Sequence, residues 1–558
     1  MRHRAALFAI IGVSLPITLT AQQPGITAIP DSVVTRIDRA FLALGGAQAP
    51  GCAIGISRAG QPVLTRAYGM ANLEFAVPNT AETIFESGSV AKQFTAATVV
   101  LLAQDGKLSL DDDIRKYLPE VPNFGKTITV RNLLTHTSGL RDQWGLLGLK
   151  GLGPGTQVHS LATILDLVSR QKALNFDPGA EYLYSNTGYA LTAIIVQRVT
   201  GQPLAKVSDE RLFKPLGMTN TQWRDDFTRV VKNRATAYEG NPQRGFRTDM
   251  PFTNVYGNGG LLTTVGDLLK WNAFLDNPSV LPGGASLVST MQTPMILTSG
   301  KPITYALGLS VSSQDGIREV THSGSTAGYR TWLARYPDQQ LSVAVMCNDG
   351  GANPTSLGNV ATNVLLSRPV RVASVAQTSD VLSSSAGALE RYTGMFREAS
   401  TQQVIRTVVR DGKLMSVQPV NVALTPLGTD RFRVQGLGEL TYHLQGGRVK
   451  YATIVSANDT SRYDMVTPAA PTTKDLAAYA GTYWSDELET RMEVRVRDTS
   501  LVVKQRPASE ATLRPTFRDG FTAPEIGAVV FDRDAKGRVT GFGIWAGRVR
   551  NVRFTREK

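Results

Sequence analysis

Ser89-Val90-Ala91-Lys92 sets a lysine three residues after a serine, the smallest pair that can turn a hydroxyl into a nucleophile. On a helix, positions i and i+3 share a face, so Lys92 can reach Ser89 Oγ, and the unpaired N–H groups of a helix N-terminus can meet a developing oxyanion. The chemistry implied is acyl transfer through a serine ester. Spacing alone is weak evidence, since ordinary residue frequencies give about two chance matches in a chain this long. Ser169-Arg170-Gln171-Lys172 is such a match, inside a helical stretch without a cap-like start, and reads as surface. Ser89 differs in context: Phe85-Glu86-Ser87-Gly88 leads in from a non-helical approach, and two further motifs follow in order.

Tyr184-Ser185-Asn186 lies 95 residues on (184 − 89), after Pro178-Gly179 and before a helical run. Tyr184 is the expected acid/base partner, although a phenol near pKa 10 is a poor base unless a close cation such as Lys92 lowers that value. Asn186 is expected to hold Lys92 and the substrate amide. Tyr256-Gly257-Asn258 has the same spacing but sits in the glycine-rich Gly257-Asn258-Gly259-Gly260 loop and reads as a decoy. The third motif, His322-Ser323-Gly324, comes 138 residues after Tyr184 (322 − 184). Its glycine lets a strand approach a ligand closely, and the N–H of Ser325 would complete an oxyanion hole with that of Ser89.

These residues need a scaffold. Alternation predicts a hairpin over residues 52–57 and 62–68, and strands over 305–311, 331–336 and 341–347. Apolar spacing predicts helices over 89–104, 158–170, 188–199 and 265–275. Strands at both ends with helices between imply one α+β unit whose sheet is completed by distant segments, ending near Leu366. Residues 372–388, rich in Ser, Ala and Val, read as a linker. Beyond it a repeat emerges: Leu389, Tyr392, Gly394 and Phe396 recur as Leu476, Tyr479, Gly481 and Tyr483, each 87 residues later (476 − 389), and Asp411 recurs as Asp498. Short alternating strands in each copy predict two small antiparallel β-barrels.

The 558-residue chain is 42% hydrophobic and 19% charged, a globular balance that excludes a mostly disordered protein. Its formal charge of +13 is spread along the chain without aromatic-basic clustering, so nucleic acid is not an expected partner. Met1-Arg2-His3-Arg4, an apolar run from Ala5 to Leu15 and Leu19-Thr20-Ala21 predict a secretory signal cleaved after Ala21, with no later membrane span. Export permits a disulfide between Cys52 and Cys347, but two buried thiols are the reading adopted. With five histidines in the chain and none near a cysteine at ligand spacing, no metal or other cofactor is expected.

The three motifs, with Leu133-Leu134-Thr135-His136-Thr137-Ser138-Gly139-Leu140 and Gly259-Gly260-Leu261-Leu262-Thr263-Thr264, resemble the serine β-lactamase-related family of class C β-lactamases, DD-carboxypeptidases, D-aminopeptidases and esterases. The likeness covers residues 31–366, and the two appended barrels make the layout similar to D-aminopeptidase. It implies a five-stranded antiparallel sheet beside a helical subdomain, with the first and last strands paired and therefore Cys52 and Cys347 on neighbouring strands. It also implies attack by Ser89, proton shuttling by Lys92 and Tyr184, and an appended-barrel loop able to reach the active site; one barrel is expected to narrow the cleft. His136 and Ser138 are taken as structural. The domain plan is a signal peptide 1–21, a hydrolase domain 22–366, a linker 367–388, a first barrel 389–467, a linker 468–475 and a second barrel 476–558.

One departure bears on substrate. Penicillin-recognising members usually carry Lys-Thr-Gly where this chain has His322-Ser323-Gly324, and a histidine near pKa 6.5 is mostly neutral at pH 7, which weakens carboxylate anchoring. Three functions compete: an exported (periplasmic or secreted) hydrolase of small amides, short D-amino-acid peptides or esters; a penicillin-interacting enzyme; and a non-catalytic ligand sensor. A small-molecule or short-peptide substrate is the expected partner, and self-association is left open.

Overall fold

The structure is a computed structural model that describes residues 29–367, 386–456, 460–505 and 509–558. The expected signal peptide and most of the expected linker lie outside the described residues.

Six antiparallel strands form the central sheet, in the order Ser310–Gln314, Ile317–Thr326, Tyr329–Tyr336, Leu341–Cys347, Cys52–Arg58 and Gln61–Tyr68. The sheet therefore has one strand more than the family resemblance implies. The extra strand is the partner in a tight hairpin through Asp315-Gly316, both at positive φ, which matches strand twist. The strand expected over 305–311 is instead a loop that turns back on itself, Ala306 N–H donating to Leu309 O, and the strand begins only at Ser310. Gly308 in that loop lies so close to Lys92 that a Cβ would stand 2.7 Å from the lysine's backbone carbon. Close packing on the backbone of Lys92 thus takes precedence there over local β propensity.

Alternation along the inner strands divides the sheet's two faces. Cys52, Ile54 and Ile56 join Val343, Val345 and Trp332 under the terminal helices Asp31–Leu42 and Pro354–Leu365. Ala53, Ala344 and Met346 face the main core with the helices Lys92–Gln104 and Val265–Asp276. Gly55 makes room on that face, since a Cβ would sit 2.9 Å from Leu269 Cδ1. The first and last strands pair in register, Cys52 directly opposite Cys347, and the two cysteines form a disulfide with Cα atoms 3.9 Å apart. The expectation of two thiols is corrected: direct pairing puts the two side chains on one face, a relation that sequence distance hides.

After the sheet come two all-β units. Strands between Gly481 and Arg556 form a closed eight-stranded barrel. Strands between Gly394 and Val466 form a nine-stranded sheet that almost closes. The two are built alike: Val422–Ala423 and Thr425–Gly428 occupy the place of the single strand Ser509–Pro515, again 87 residues apart (509 − 422, 515 − 428). Leu424 interrupts the first copy, and the flanking pieces end the sheet on its two sides. The repeated tyrosines do the same work, Tyr392 O–H donating to Asp430 and Tyr479 O–H to Asp519.

The closed barrel shares its core with the helical part of the hydrolase unit. Leu146, Leu147, Leu149, Ile164 and Leu167 pack with Tyr483, Leu488 and Val549. Arg141 and Glu487, both almost fully buried, form an ion pair at 2.8 Å across this junction.

Candidate functional site

Ser89 sits in a tight 3-10 turn, Gly88–Ala91, that runs directly into the helix Lys92–Gln104. With three residues per turn, positions i and i+3 eclipse, and Lys92 Nζ lies 3.1 Å from Ser89 Oγ. The helix is buried almost all round, so Lys92 is fully enclosed while Ser89 stays partly open to the cleft. Phe85–Glu86 is a short strand paired with Leu261–Thr263, and the Ser87 N–H donates to Leu261 O, which fixes the entry to the turn.

Lys92 Nζ has two other neighbours: Asn186 Oδ1 at 2.9 Å and the backbone carbonyl of Asn258. Both can only accept. A neutral amine has two N–H bonds and one lone pair, so once the two acceptors are served the lone pair faces the Ser89 hydroxyl. Burial pushes the Lys92 pKa well below its usual range, helped by the charge of Arg548 and opposed by Asp142. Geometry and electrostatics therefore agree on an amine ready to take a proton.

Asn186 is the first residue of the helix Asn186–Thr200. Its backbone N–H and its Nδ2 both donate to Asp142 Oδ2, at 2.7 and 3.0 Å, which turns Oδ1 toward Lys92. The same carboxylate caps its own helix through the Trp144 and Gly145 N–H groups, so one anion serves two helix N-termini.

Tyr184 precedes that helix, with its ring 4.8 Å from Lys92 Nζ and its centre 4.0 Å from that of the His136 ring, the two planes tilted by 35°. The Ser185 N–H donates to His136 Nδ1 at 3.1 Å, so the His136 segment backs the tyrosine. Burial raises the Tyr184 pKa, contrary to the lowering that a neighbouring lysine would bring. The reason is that Lys92 is itself driven toward its neutral form, so desolvation of the phenolate prevails. The hydroxyl is near enough for Ser89 to oppose part of that rise, yet it falls short of hydrogen-bond geometry and is buried without a partner among the described residues.

His322, Ser323, Gly324 and Ser325 lie on the strand Ile317–Thr326. Its hairpin partner stops at the pair Ser310–Thr321, so residues 322–326 present an edge with no strand on that side among the described residues. The turn that carries Ser89 takes that place: a Cβ on Gly324 would stand 2.0 Å from Ser87 O, and one on Gly88 2.5 Å from Ser325 N. Glycine at both positions is what allows the Ser89 and Ser325 backbones to meet. His322 is held uncharged. Tyr305 O–H donates to Nε2 at 3.0 Å while Nδ1–H donates to Ser323 O, and burial, with Lys92 nearby, pushes the pKa down to about 3.

All eight residues expected at the site line or border one cavity of about 1110 Å³. Sequence reasoning passed over four others. Asn258, set aside as a decoy, contributes its backbone carbonyl, and Asp142 orients Asn186. Tyr305 fixes His322. Arg548 reaches the cavity from the closed barrel, its guanidinium 4.6 Å from the centre of the Tyr184 ring. Of these only Asp142 had a local signal, a helix-cap position before an apolar run. The second Ser-x-x-Lys match stays apart, Ser169 bonding to Asp166 O at a helix end.

A sheet of this topology carrying a serine-lysine turn defines the class, and the chain belongs to the beta-lactamase family, whose match spans residues 37–366. Residues 466–556 match a domain of unknown function, DUF3471. The D-aminopeptidase of Brucella anthropi is 28% identical over 532 residues, covering 91% of this chain and 95% of that protein. The D-aminopeptidase of Brucella suis biovar 1 is likewise 28% identical, over 529 residues. Among solved structures, the octameric penicillin-binding protein homologue from Pyrococcus abyssi aligns with a TM-score of 0.54 at 24% identity, over 78% of this chain and 98% of its own. SurE aligns with a TM-score of 0.51 at 20% identity, over 94% of this chain and 98% of its own. The chain is thus a β-lactamase-fold hydrolase related to D-aminopeptidase.

Proposed function

We propose that this protein is an exported serine hydrolase that forms an acyl-enzyme on Ser89 and acts on small amides, short D-amino-acid peptides or esters. The observation that carries the reading is the environment of Lys92: buried, with both N–H bonds committed to acceptors and its lone pair left for Ser89. Ser89 Oγ attacks the substrate carbonyl as its proton passes to Lys92 Nζ. The oxyanion forms against the Ser89 and Ser325 N–H groups. The scissile bond breaks, and the leaving group takes a proton from Tyr184 O–H, which is replenished from Lys92. Water then attacks the ester, gives a proton to Lys92, and Ser89 Oγ leaves with it, releasing the acid. Asn186 and the open edge at Ser323 and Gly324 hold the substrate amide. The D-aminopeptidase relatives and the uncharged His322 both favour this over a penicillin-directed function, because position 322 supplies no cation.

A panel of a D-alanyl anilide, a p-nitrophenyl ester and nitrocefin on the purified protein tests the reading. Turnover of the first two, lost in Ser89→Ala, is the expected result; nitrocefin as the sole substrate would overturn it.

A further inference from the structure

Arg548 sits in the turn between the last two barrel strands, Val539–Ala546 and Val549–Arg556. Its backbone is fixed against the hydrolase unit: Asn175 Nδ2 donates to Arg548 O at 3.0 Å, and the Arg550 N–H donates to Asn175 Oδ1 at 2.8 Å. The guanidinium is not tied down in the same way. Its side chain is 47% exposed, its nearest carboxylate is Asp142 at 3.9 Å, and it makes no hydrogen bond among the described residues. Asp142 Oδ2 already accepts two hydrogen bonds from Asn186. Of the other arginines lining the cavity, Arg224 is held by Glu86 in a two-pronged buried pair, and Arg330 is anchored through Nη1 alone to the carbonyls of Ala327 and Tyr329. Asp249 also lines the cavity, beside Gly328, whose N–H donates to the Asp249 carbonyl. Arg548 is therefore set apart by its position: its donors are unspent and its guanidinium lies over Tyr184, the group that serves the leaving side of the scissile bond.

We infer that Arg548 binds a carboxylate on the leaving group, so that the preferred substrates are dipeptides and short peptides whose departing residue carries a free α-carboxylate next to the scissile bond. The inference rests on the acyl-enzyme reading above and narrows its substrate class. A planar guanidinium suits a carboxylate through paired N–H bonds. The barrel thereby supplies the cation that His322 does not, at a different point of the cleft.

The experiment compares kcat/KM for D-alanyl-D-alanine and D-alanyl-D-alaninamide, which differ in that one charge. The wild-type protein is expected to favour the free acid by about 10- to 100-fold, the range of a charge-assisted hydrogen bond. Arg548→Gln brings the ratio close to one, Arg548→Lys keeps part of it, and Arg548→Glu reverses it. The wild-type ratio, which needs no variant, also shrinks as salt rises from about 50 to about 500 mM. A wild-type ratio of one or less, a ratio unchanged in Arg548→Gln, or an equal fall for both substrates in Arg548→Glu overturns the inference. The acyl-enzyme reading fails separately, by turnover of either substrate that survives Ser89→Ala.

Discussion

A lysine can serve as a base at neutral pH only if its surroundings make the charged form costly, and around Lys92 they do. Arginine stays protonated in any protein, so Lys92→Arg keeps the length and charge but cannot accept the Ser89 proton. Its kcat/KM for a p-nitrophenyl ester should fall by about 1,000-fold, as should that of Lys92→Met, within the range for loss of a general base. In the proposed mechanism the neutral amine is the active form, so wild-type activity should rise with pH through the depressed Lys92 pKa and then level off. His322 has its own pH signature. Its folded pKa, about 3 against an ordinary 6.5, means the unfolded chain binds more protons between these values, so stability declines as pH falls through that window. Urea titrations between about pH 7 and 4 should show a shallower decline for His322→Gln; parallel slopes would contradict the assignment. At this scale the sequence pointed to residues that the structure brings together and to an uncharged His322, but not to the direction of the shift at Tyr184. Ser89, Lys92, Tyr184, Asn186 and His322 could be picked out by order and spacing, whereas the upward shift at Tyr184 depends on desolvation, which no spacing encodes.

At the level of elements, the site is a meeting of two backbones. The turn Gly88–Ala91 and the open edge of Ile317–Thr326 approach closely only because Gly88 and Gly324 lack side chains. Gly324→Ala should cost about 100-fold or more in kcat, comparable with removal of an oxyanion donor, while circular dichroism confirms a folded chain. The paired strands beneath are closed by Cys52–Cys347 across 295 residues of chain, and replacing both cysteines with alanine should lower unfolding stability by about 2–5 kcal/mol in denaturant titrations. The hairpin at Cys52–Arg58 and Gln61–Tyr68 and the strand Leu341–Cys347 were legible from alternation. The loop at Tyr305 was not, because its conformation answers to Lys92 packing on Gly308 rather than to its own residues. The Asp315-Gly316 turn was a readable hairpin signal that the apolar run before it obscured.

For the whole molecule, the question is why a hydrolase should carry a barrel so firmly attached. The barrel completes the core under Leu146, Leu147 and Leu149, and the buried pair Arg141–Glu487 joins the two units one residue from Asp142. Glu487→Ala leaves the Arg141 charge buried and unpaired, which should cost about 3–5 kcal/mol in thermal or urea unfolding. A chain ending at residue 467 should aggregate, since that apolar face would be exposed; a soluble, fully active truncation would contradict the shared core. The 87-residue repeat announced both β units from sequence, and the split at Leu424 explains why one closes and the other does not. Contacts such as Arg548 to Tyr184 join residues 364 positions apart (548 − 184) and leave no periodic trace in the chain.

The most direct test of the account is the mass of the protein after exposure to a fluorophosphonate, followed by peptide mapping and the pH dependence of the labelling rate. A single adduct on Ser89, formed faster as pH rises and slowed about 1,000-fold in Lys92→Arg, is the result predicted. An adduct on another residue, or labelling of Ser89 that is indifferent to both pH and Lys92, would contradict it.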